Sequence, residues 1–402
     1  MSARSAEIRL VAWIWTRREW PEFRWDAGRL LPAVTAARLA QGRLLGAMES
    51  LGFALRLEAE LHSTVEDVLT TSAIEGTVLP PASVRSSVAH RLGLDEAGVT
   101  ARQRDVEGVV DVVMDATRNC TKPVTAARLF GWHAALFPTG RSGLSRIRVG
   151  RYRDDAQGPM QVVSGALGRP TVHFEAPPAK RLPAETRRLL DWLARPPPTV
   201  DGLLGAGLVH LWFVTLHPFD DGNGRLARAL ADLALARADG LGQRFFSVSS
   251  QLERERRAYY EALEATQRGG LDVTPWLEWF SGCVGRAVAH AETQALEVRR
   301  KAAFWQAHAA APFSPRQQKL LARLLDDPSW RLTAKHWATV CRCSADTAAR
   351  DIQDLVGRGL LARNPGEARN TSYRFAWSGG DVTPAARSAS SRPGSPPATP
   401  RR

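Results

Sequence analysis

Between positions 217 and 228 the chain reads HPFDDGNGRLAR, which brings an imidazole, a carboxylate, a glycine-framed loop and two guanidinium groups into twelve residues. Each of these groups suits phosphoryl chemistry. His217 offers a base whose ordinary pKa lies near neutrality. Gly222, Asn223 and Gly224 permit tight backbone geometry with N–H groups directed outward, a cradle for phosphate oxygens. Asp221 is a hard oxygen donor beside that cradle, and Mg²⁺ is typically held by one or two carboxylates together with substrate phosphates. Arg225 and Arg228 stand three positions apart, so on a helix both can project toward one polyanion. Taken singly, each residue has a bland reading as a helix cap or a solvated face. The joint occurrence does not, because false matches to a short motif become rarer as fixed positions are added.

The elements that must hold these groups are legible on either side. The residue before a proline is driven out of the α region, so His217 should close the preceding helix. That helix, LLGAGLVHLWFVTL, is apolar on nearly every face and therefore buried. The following RLARALADLALARA is a strong helix former, with Asn223 as its expected N-cap. The anion cradle then lies at the positive end of a helix dipole.

Farther upstream, STVE at Ser63 and Glu66 has the form of a capping box and predicts a helix over 63–76 that ends at Gly76. Glu75 falls in its last turn, facing the negative end of the dipole, and calls for compensation from outside the helix. Between the two motifs SRIRVGRYRDD is basic and turn-like, and the β-prone runs MQVV and TVHF, separated by SGALGRP, predict an irregular hairpin over 160–174. Downstream, QLERERRAYYEALEA predicts a helix carrying Tyr259 and Tyr260, and paired aromatics at helical positions are more often core than ligand contacts.

The stretch 217–228 matches the Fic/Doc signature HxFx(D/E)GNGRxxR at every fixed position, and on it the chain resembles that family. The resemblance implies a mainly α fold, a Fic-type helical core with a β-hairpin flap, and a protein adenylyltransferase that moves AMP from ATP onto a Ser, Thr or Tyr hydroxyl of a target protein and of itself. It implies that His217 is the general base, that Asp221 holds Mg²⁺, that Gly222, Asn223 and Gly224 bind the α- and β-phosphates, and that Arg225 and Arg228 neutralise the β- and γ-phosphates. Thr71, Glu75 and Gly76 fit the family's inhibitory segment (S/T)xxxE(G/N), in which the glutamate pairs with the second arginine of the signature, here Arg228. The hairpin over 160–174 resembles the flap that holds the target by strand addition. Arg256, Tyr259, Tyr260 and Leu263 follow the family's NRxxYYxxL helix near adenine, with Glu255 standing where asparagine is usual. Removal of AMP, assisted by Glu75, and transfer of other groups also occur in the family.

Length and composition frame this reading. A chain of 402 residues has room for two to three domains. Without a run long enough to span a bilayer or a recognisable leader, the expected setting is soluble and cytoplasmic. Cys120, Cys283, Cys341 and Cys343 lack zinc spacing, so reduced thiols and no metal beyond Mg²⁺ are expected. The net charge of +13 suits ATP, nucleic acid or acidic partners without choosing among them.

The expected domains are a Trp-rich helical module over 1–95 containing the inhibitory helix, a catalytic core over 96–300, a linker over 301–312, a small α+β domain over 313–377, and a Gly/Ser/Pro-rich disordered tail over 378–402. Trp13, Trp15, Trp20, Phe23 and Trp25 crowd the first module, either as a peptide-binding surface or as an anchor onto the core or onto a second subunit of a homodimer. Beyond 312, three helix-sized segments and a short strand pair around Gly366 resemble a winged helix, with Ser344 capping its recognition helix. That segment carries 11 Lys or Arg against 6 Asp or Glu, enough to steer toward DNA phosphates, although winged helices also bind proteins. The second reading of the chain is thus a DNA-binding regulator with a nucleotide-sensing or self-modifying appendage.

Overall fold

The computed structural model describes residues 12–49, 52–94, 103–164, 171–327, 330–365 and 371–377. The chain divides into two units, Met1–Ala295 and Leu296–Arg402. The fold is mainly α, as the sequence implies. Among the described residues no helix is long and apolar enough to cross a membrane.

The first unit opens with α1 (Ala27–Glu49), α2 (Phe53–Ile74), α3 (Pro81–Leu92), α4 (Arg104–Arg118) and α5 (Ala126–Leu136). Two antiparallel hairpins follow, β1–β2 (Arg141–Ser142 and Ser145–Arg146) and β3–β4 (Gln161–Ser164 and Thr171–Glu175). Then come α6 (Leu182–Ala194), α7 (Gly202–Leu216), α8 (Asn223–Asp239), α9 (Val248–Arg254), α10 (Arg256–Gln267) and α11 (Thr274–Ala307), the last of which carries the division between the units.

α7 is the central element. Its N-cap Asp201 accepts the Leu203 N–H at 2.8 Å, and apart from Gly202 and Val214 every residue of the helix is buried. An all-apolar helix has no face to give to water, so it is enclosed by neighbours. α8 packs along it, and α6 covers it with an amphipathic face that includes Leu182, Leu189, Leu190 and Leu193. Among the N-terminal aromatics Trp20 joins this core, and Phe23 and Trp25 pack half-buried against it. Trp20 stacks edge-on against Phe23 (5.3 Å) and Trp212 (6.3 Å), and its buried Nε1–H donates to Glu185.

Three local expectations are corrected. The helix carrying Glu75 begins at Phe53, not at Ser63. Ser63 lies in its interior, where the hydroxyl donates to the Arg244 carbonyl at 2.8 Å, and Glu66 accepts from Ser250 and Arg254. The apparent capping box is therefore a set of tertiary contacts. The helix also ends at Ile74, with Glu75 as C-cap and the chain turning at Gly76. The N-cap of α8 is Gly222, and Asn223 is already helical. The segment 301–312 begins inside α11, because Phe304 has a hydrophobic core to enter.

That core belongs to the second unit, which continues through α12 (Pro315–Asp326), β5 (Leu332–Thr333), α13 (Ala334–Cys341), α14 (Ala345–Gly357), β6 (Leu361–Arg363) and β7 (Ser372–Phe375). The three strands form an antiparallel sheet in the order β5–β7–β6. Leu320, Leu324, Trp337, Ile352 and Leu355 fill the space with Phe304. Ser314 builds a capping box with Gln317 on α12, and Ser344 accepts the Thr347 N–H to cap α14. Gly366, the middle of the 160–174 hairpin at 165–170, and the tail over 378–402 lie outside the described residues.

Candidate active site

His217 follows the last turn of α7 with φ +48° and ψ +56°, a left-handed conformation that non-glycine residues seldom adopt. Pro218 excludes the α region for His217. Arg153 then holds the unusual turn. Its backbone N–H donates to the Pro218 carbonyl (3.0 Å) and its Nε–H to the His217 carbonyl (2.7 Å). Its Nη2 reaches the Pro177 carbonyl (2.6 Å) and its Nη1 pairs with Asp155 (2.8 Å). The guanidinium is wholly enclosed, and burial lowers its pKa against the pull of Asp155. Sequence reading missed Arg153, because within SRIRVGRYRDD nothing distinguishes one arginine from its neighbours.

The His217 ring has a defined tautomer. Nδ1 lies 3.3 Å from the Val214 carbonyl, which can only accept, so Nδ1 carries the hydrogen and Nε2 keeps a free lone pair. Desolvation, with Arg153 adding to it, pushes the imidazole down to about 4. At neutral pH it is an uncharged base.

The loop after His217 is closed from inside. Phe219 is fully buried and stacks on His133 at 4.3 Å. His133 accepts the Gly150 N–H at Nδ1 (3.2 Å), so its Nε2–H donates to the Asp221 carbonyl (3.2 Å). The Asn223 amide bridges both backbone groups of Phe219, accepting at 3.0 Å and donating at 2.8 Å. Asn223 therefore shapes the loop instead of capping the helix. Gly222 has φ +79°, and a Cβ there would stand 2.8 Å from the Phe137 ring, so glycine is required twice over. His133 and Phe137, like Arg153, carried no signal in the sequence.

The first-turn N–H groups of α8 have no partners within the helix, and such a helix end favours an anion. Asp221 accepts from the Ser142 hydroxyl and from the Gly222 N–H (2.5 Å), while Asp220 accepts the Arg148 N–H (2.7 Å). Among the described residues no group of three His, Cys, Asp or Glu side chains forms a protein-only metal cage. A single oriented carboxylate beside an anion cradle fits Mg²⁺, which takes the rest of its ligands from phosphates and water.

The two arginines do not project together. Arg225 lies over the Phe137 ring at 4.8 Å, and its buried Nε has no hydrogen-bond partner among the described residues. Arg228, only 3% exposed, turns to α2: Nε donates to Thr71 Oγ1 (2.8 Å), and Nη2 to the Thr71 carbonyl (2.9 Å) and to Glu75 Oε1 (2.7 Å). The same Glu75 oxygen lies so close to α8 that a Cβ on Gly224 would stand 2.2 Å from it. The carboxylate misplaced at the negative end of α2 is thus compensated by Arg228 and by the positive end of α8. Arg256 secures the junction by donating to the Ile74 carbonyl at 2.7 Å.

A cleft of about 800 Å³ opens over these groups, walled by β3–β4 and α10, with Glu75, His217, Gly224 and Arg228 at its base. Both tyrosines line this cleft and differ in exposure. Tyr259 is 1% exposed, with its hydroxyl 2.8 Å from His210 Nε2 and only its edge in the cleft wall; Tyr260 is 43% exposed. Glu255 points elsewhere, in a two-pronged pair with Arg286 (2.5 and 2.6 Å).

On the transferase activity that the sequence resemblance implies, Arg153→Lys should lower turnover by about 10–100-fold while leaving nucleotide affinity within twofold, because a single ammonium cannot span His217, Pro177 and Asp155 and small misplacements of a reacting group are costly. Isothermal titration with ATP beside turnover would check this; a parallel loss of binding would mean that the whole loop had collapsed.

Residues 123–235 match the family model described as Fic/DOC family, and residues 13–94 match a domain of unknown function, DUF4172. Among curated proteins the chain is similar to the protein adenylyltransferase Fic of Nematostella vectensis, at 33% identity over 29% of this chain and 26% of that protein. It is also similar to a probable protein adenylyltransferase of Aquifex aeolicus, at 32% identity over 25% of this chain and 28% of that protein. The matches thus span about a quarter of the length of these relatives. A solved Fic family protein from Desulfovibrio desulfuricans aligns over 86% of this chain and 96% of its own, with 20% identity and a TM-score of 0.49.

Proposed function

As a member of the Fic/DOC family through residues 123–235, this chain, we propose, transfers AMP from ATP to a hydroxyl side chain of a protein, and Glu75 restrains that activity. The observation that carries the reading is the ion pair between Glu75 and Arg228, at 2.7 Å, beside a neutral His217 and an anion cradle. His217 Nε2 would take the proton of the attacking hydroxyl. The oxygen would bond to the α-phosphorus as the bond to the bridging oxygen breaks, and pyrophosphate would leave. The N–H groups of Asn223 and Gly224 would hold the phosphates, joined by that of Gly222 once it leaves Asp221, and Arg225 would neutralise phosphate charge. Mg²⁺ on Asp221 would neutralise phosphate charge. Tyr260 would flank the base and β3–β4 the protein substrate.

Arg228 can reach the terminal phosphates only by leaving Glu75. Since both carboxylate and phosphate seek the same donors, the resting site favours its own glutamate. ATP labelled at the α-phosphate, given with Mg²⁺ to the Glu75→Gly protein, tests the reading directly through label on the chain itself and on lysate proteins. The reverse reaction is a second use of the same groups, with Glu75 orienting a water, and release of label from self-labelled wild-type protein would reveal it.

The second unit has the element order of a winged helix, and α13 and α14 are joined by a short turn at Arg342 with φ +50°, the layout of a helix–turn–helix. It would select location or partner. If it binds DNA, gel shifts of the intact protein on duplex fragments should weaken steeply between 50 and 200 mM salt, about tenfold or more for a few phosphate contacts. No shift at 50 mM salt would leave the unit as a protein-binding module.

A further inference from the structure

The hairpin β3–β4 poses a mechanical problem. Its strands have four and five residues, and every residue of β3 is exposed. An isolated two-stranded hairpin is marginal in water, so something outside it must fix its place over the cleft. The contacts that do so converge on β4. Trp13 meets Phe174 edge-on at 5.3 Å, and the two share a small core with Ala176, against which Met160 and Val172 pack. Trp15 Nε1–H donates to the Glu175 carbonyl at 2.6 Å. From α10, Arg268 donates to the carbonyls of Val172 (2.9 Å) and His173 (3.3 Å), while its guanidinium lies over the Trp13 ring at 5.5 Å.

We propose that the aromatic segment at 13–15, the start of the stretch matching the domain of unknown function, is a brace that holds β4 and leaves the outer edge of β3 as the docking edge for an extended protein substrate. Trp13 and Trp15 are then positioning residues for that substrate. The proposal rests on the transferase reading only for the identity of what docks; the bracing itself is a property of the fold. It explains why the aromatics converge on the hairpin, and why five consecutive residues from Met160 to Ser164 line the cleft that contains His217. Backbone donors and acceptors of an unpaired strand edge are a template for strand addition. On β4 the carbonyls of Val172, His173 and Glu175 accept from side chains.

The test uses the full chain carrying Glu75→Gly as enzyme and full-length His217→Ala protein as acceptor, alone and with Trp15→Phe or Trp13→Ala added to the enzyme. Trp15→Phe keeps an aromatic ring at this half-buried position while deleting the donor, so it folds even if Trp13→Ala does not. Amide exchange at residues 171–176 should quicken by about tenfold, and the half-saturating acceptor concentration should rise by about tenfold, the scale of one lost hydrogen bond or aromatic pair. Turnover at saturating acceptor and the KM for ATP should stay within twofold. Unchanged exchange would overturn the brace. So would equal losses in the ATP and acceptor parameters, which would make the segment a general core element. If the parent enzyme labels no acceptor, the transferase reading fails, and exchange at 171–176 still decides the brace.

Discussion

Replacing His217 with alanine should lower AMP transfer by about 10²–10⁴-fold, the usual contribution of a general base, with ATP binding little changed. The shape of the pH profile is the more discriminating result. Because burial pushes His217 down to about 4, the free base persists well below the ordinary histidine range, and activity should fall on acidification only near that pH rather than near 6.5. Stability should follow the same groups. His210, pushed down to about 3, and His217 both stay neutral in the folded protein while the unfolded chain takes up protons below about 6.5. A folded pKa below the unfolded one contributes stability that is present above the unfolded value and lost as pH falls toward the folded value. The melting temperature should therefore drop between pH 6.5 and 4. Rate profiles and thermal melts of wild type and His217→Ala across this window would check both; an acid limb at 6.5 that survives in slow His217→Ala turnover would remove His217 as the base.

The second large effect has the opposite sign. Glu75→Gly should raise transfer by about 10–100-fold, since each charge-assisted hydrogen bond withdrawn from Arg228 is worth about 1.5–3 kcal/mol and becomes available to phosphate. The same change should destabilise the fold by about 1–3 kcal/mol, at the low end for breaking a buried pair, because Thr71 still accepts two bonds from Arg228 and Glu75 is partly exposed. Arg228→Ala is the companion variant. It removes the restraint and the phosphate donor together, so it should lose activity while Glu75→Gly gains it. Transfer from labelled ATP and chemical denaturation read the two quantities; equal activity of wild type and Glu75→Gly would mean that the ion pair is structural only.

Much of the site was legible because chemistry concentrated in twelve consecutive residues. The end of α7 at a His–Pro pair and the buried character of that helix follow from rules that act within a few residues. Other features depended on distant partners. Arg153 lies 64 positions before the carbonyl it clamps, and the Glu75–Arg228 pair joins positions 153 apart. STVE read as a capping box, yet Ser63 and Glu66 bond to residues more than 180 positions away. A short pattern cannot state whether its polar groups serve their own helix or another.

By itself the sequence determined which groups could act on a phosphate and the order of elements presenting them, since residue type, proline and glycine geometry and helical periodicity are local. Only the tertiary structure decided where each group points. Arg225 and Arg228 are three apart on one turn yet face different partners, Asn223 folds back onto Phe219 instead of capping α8, and of two adjacent tyrosines Tyr259 is buried while Tyr260 stays open to solvent. Those choices belong to packing, because a buried polar group goes wherever a partner from another element can satisfy it.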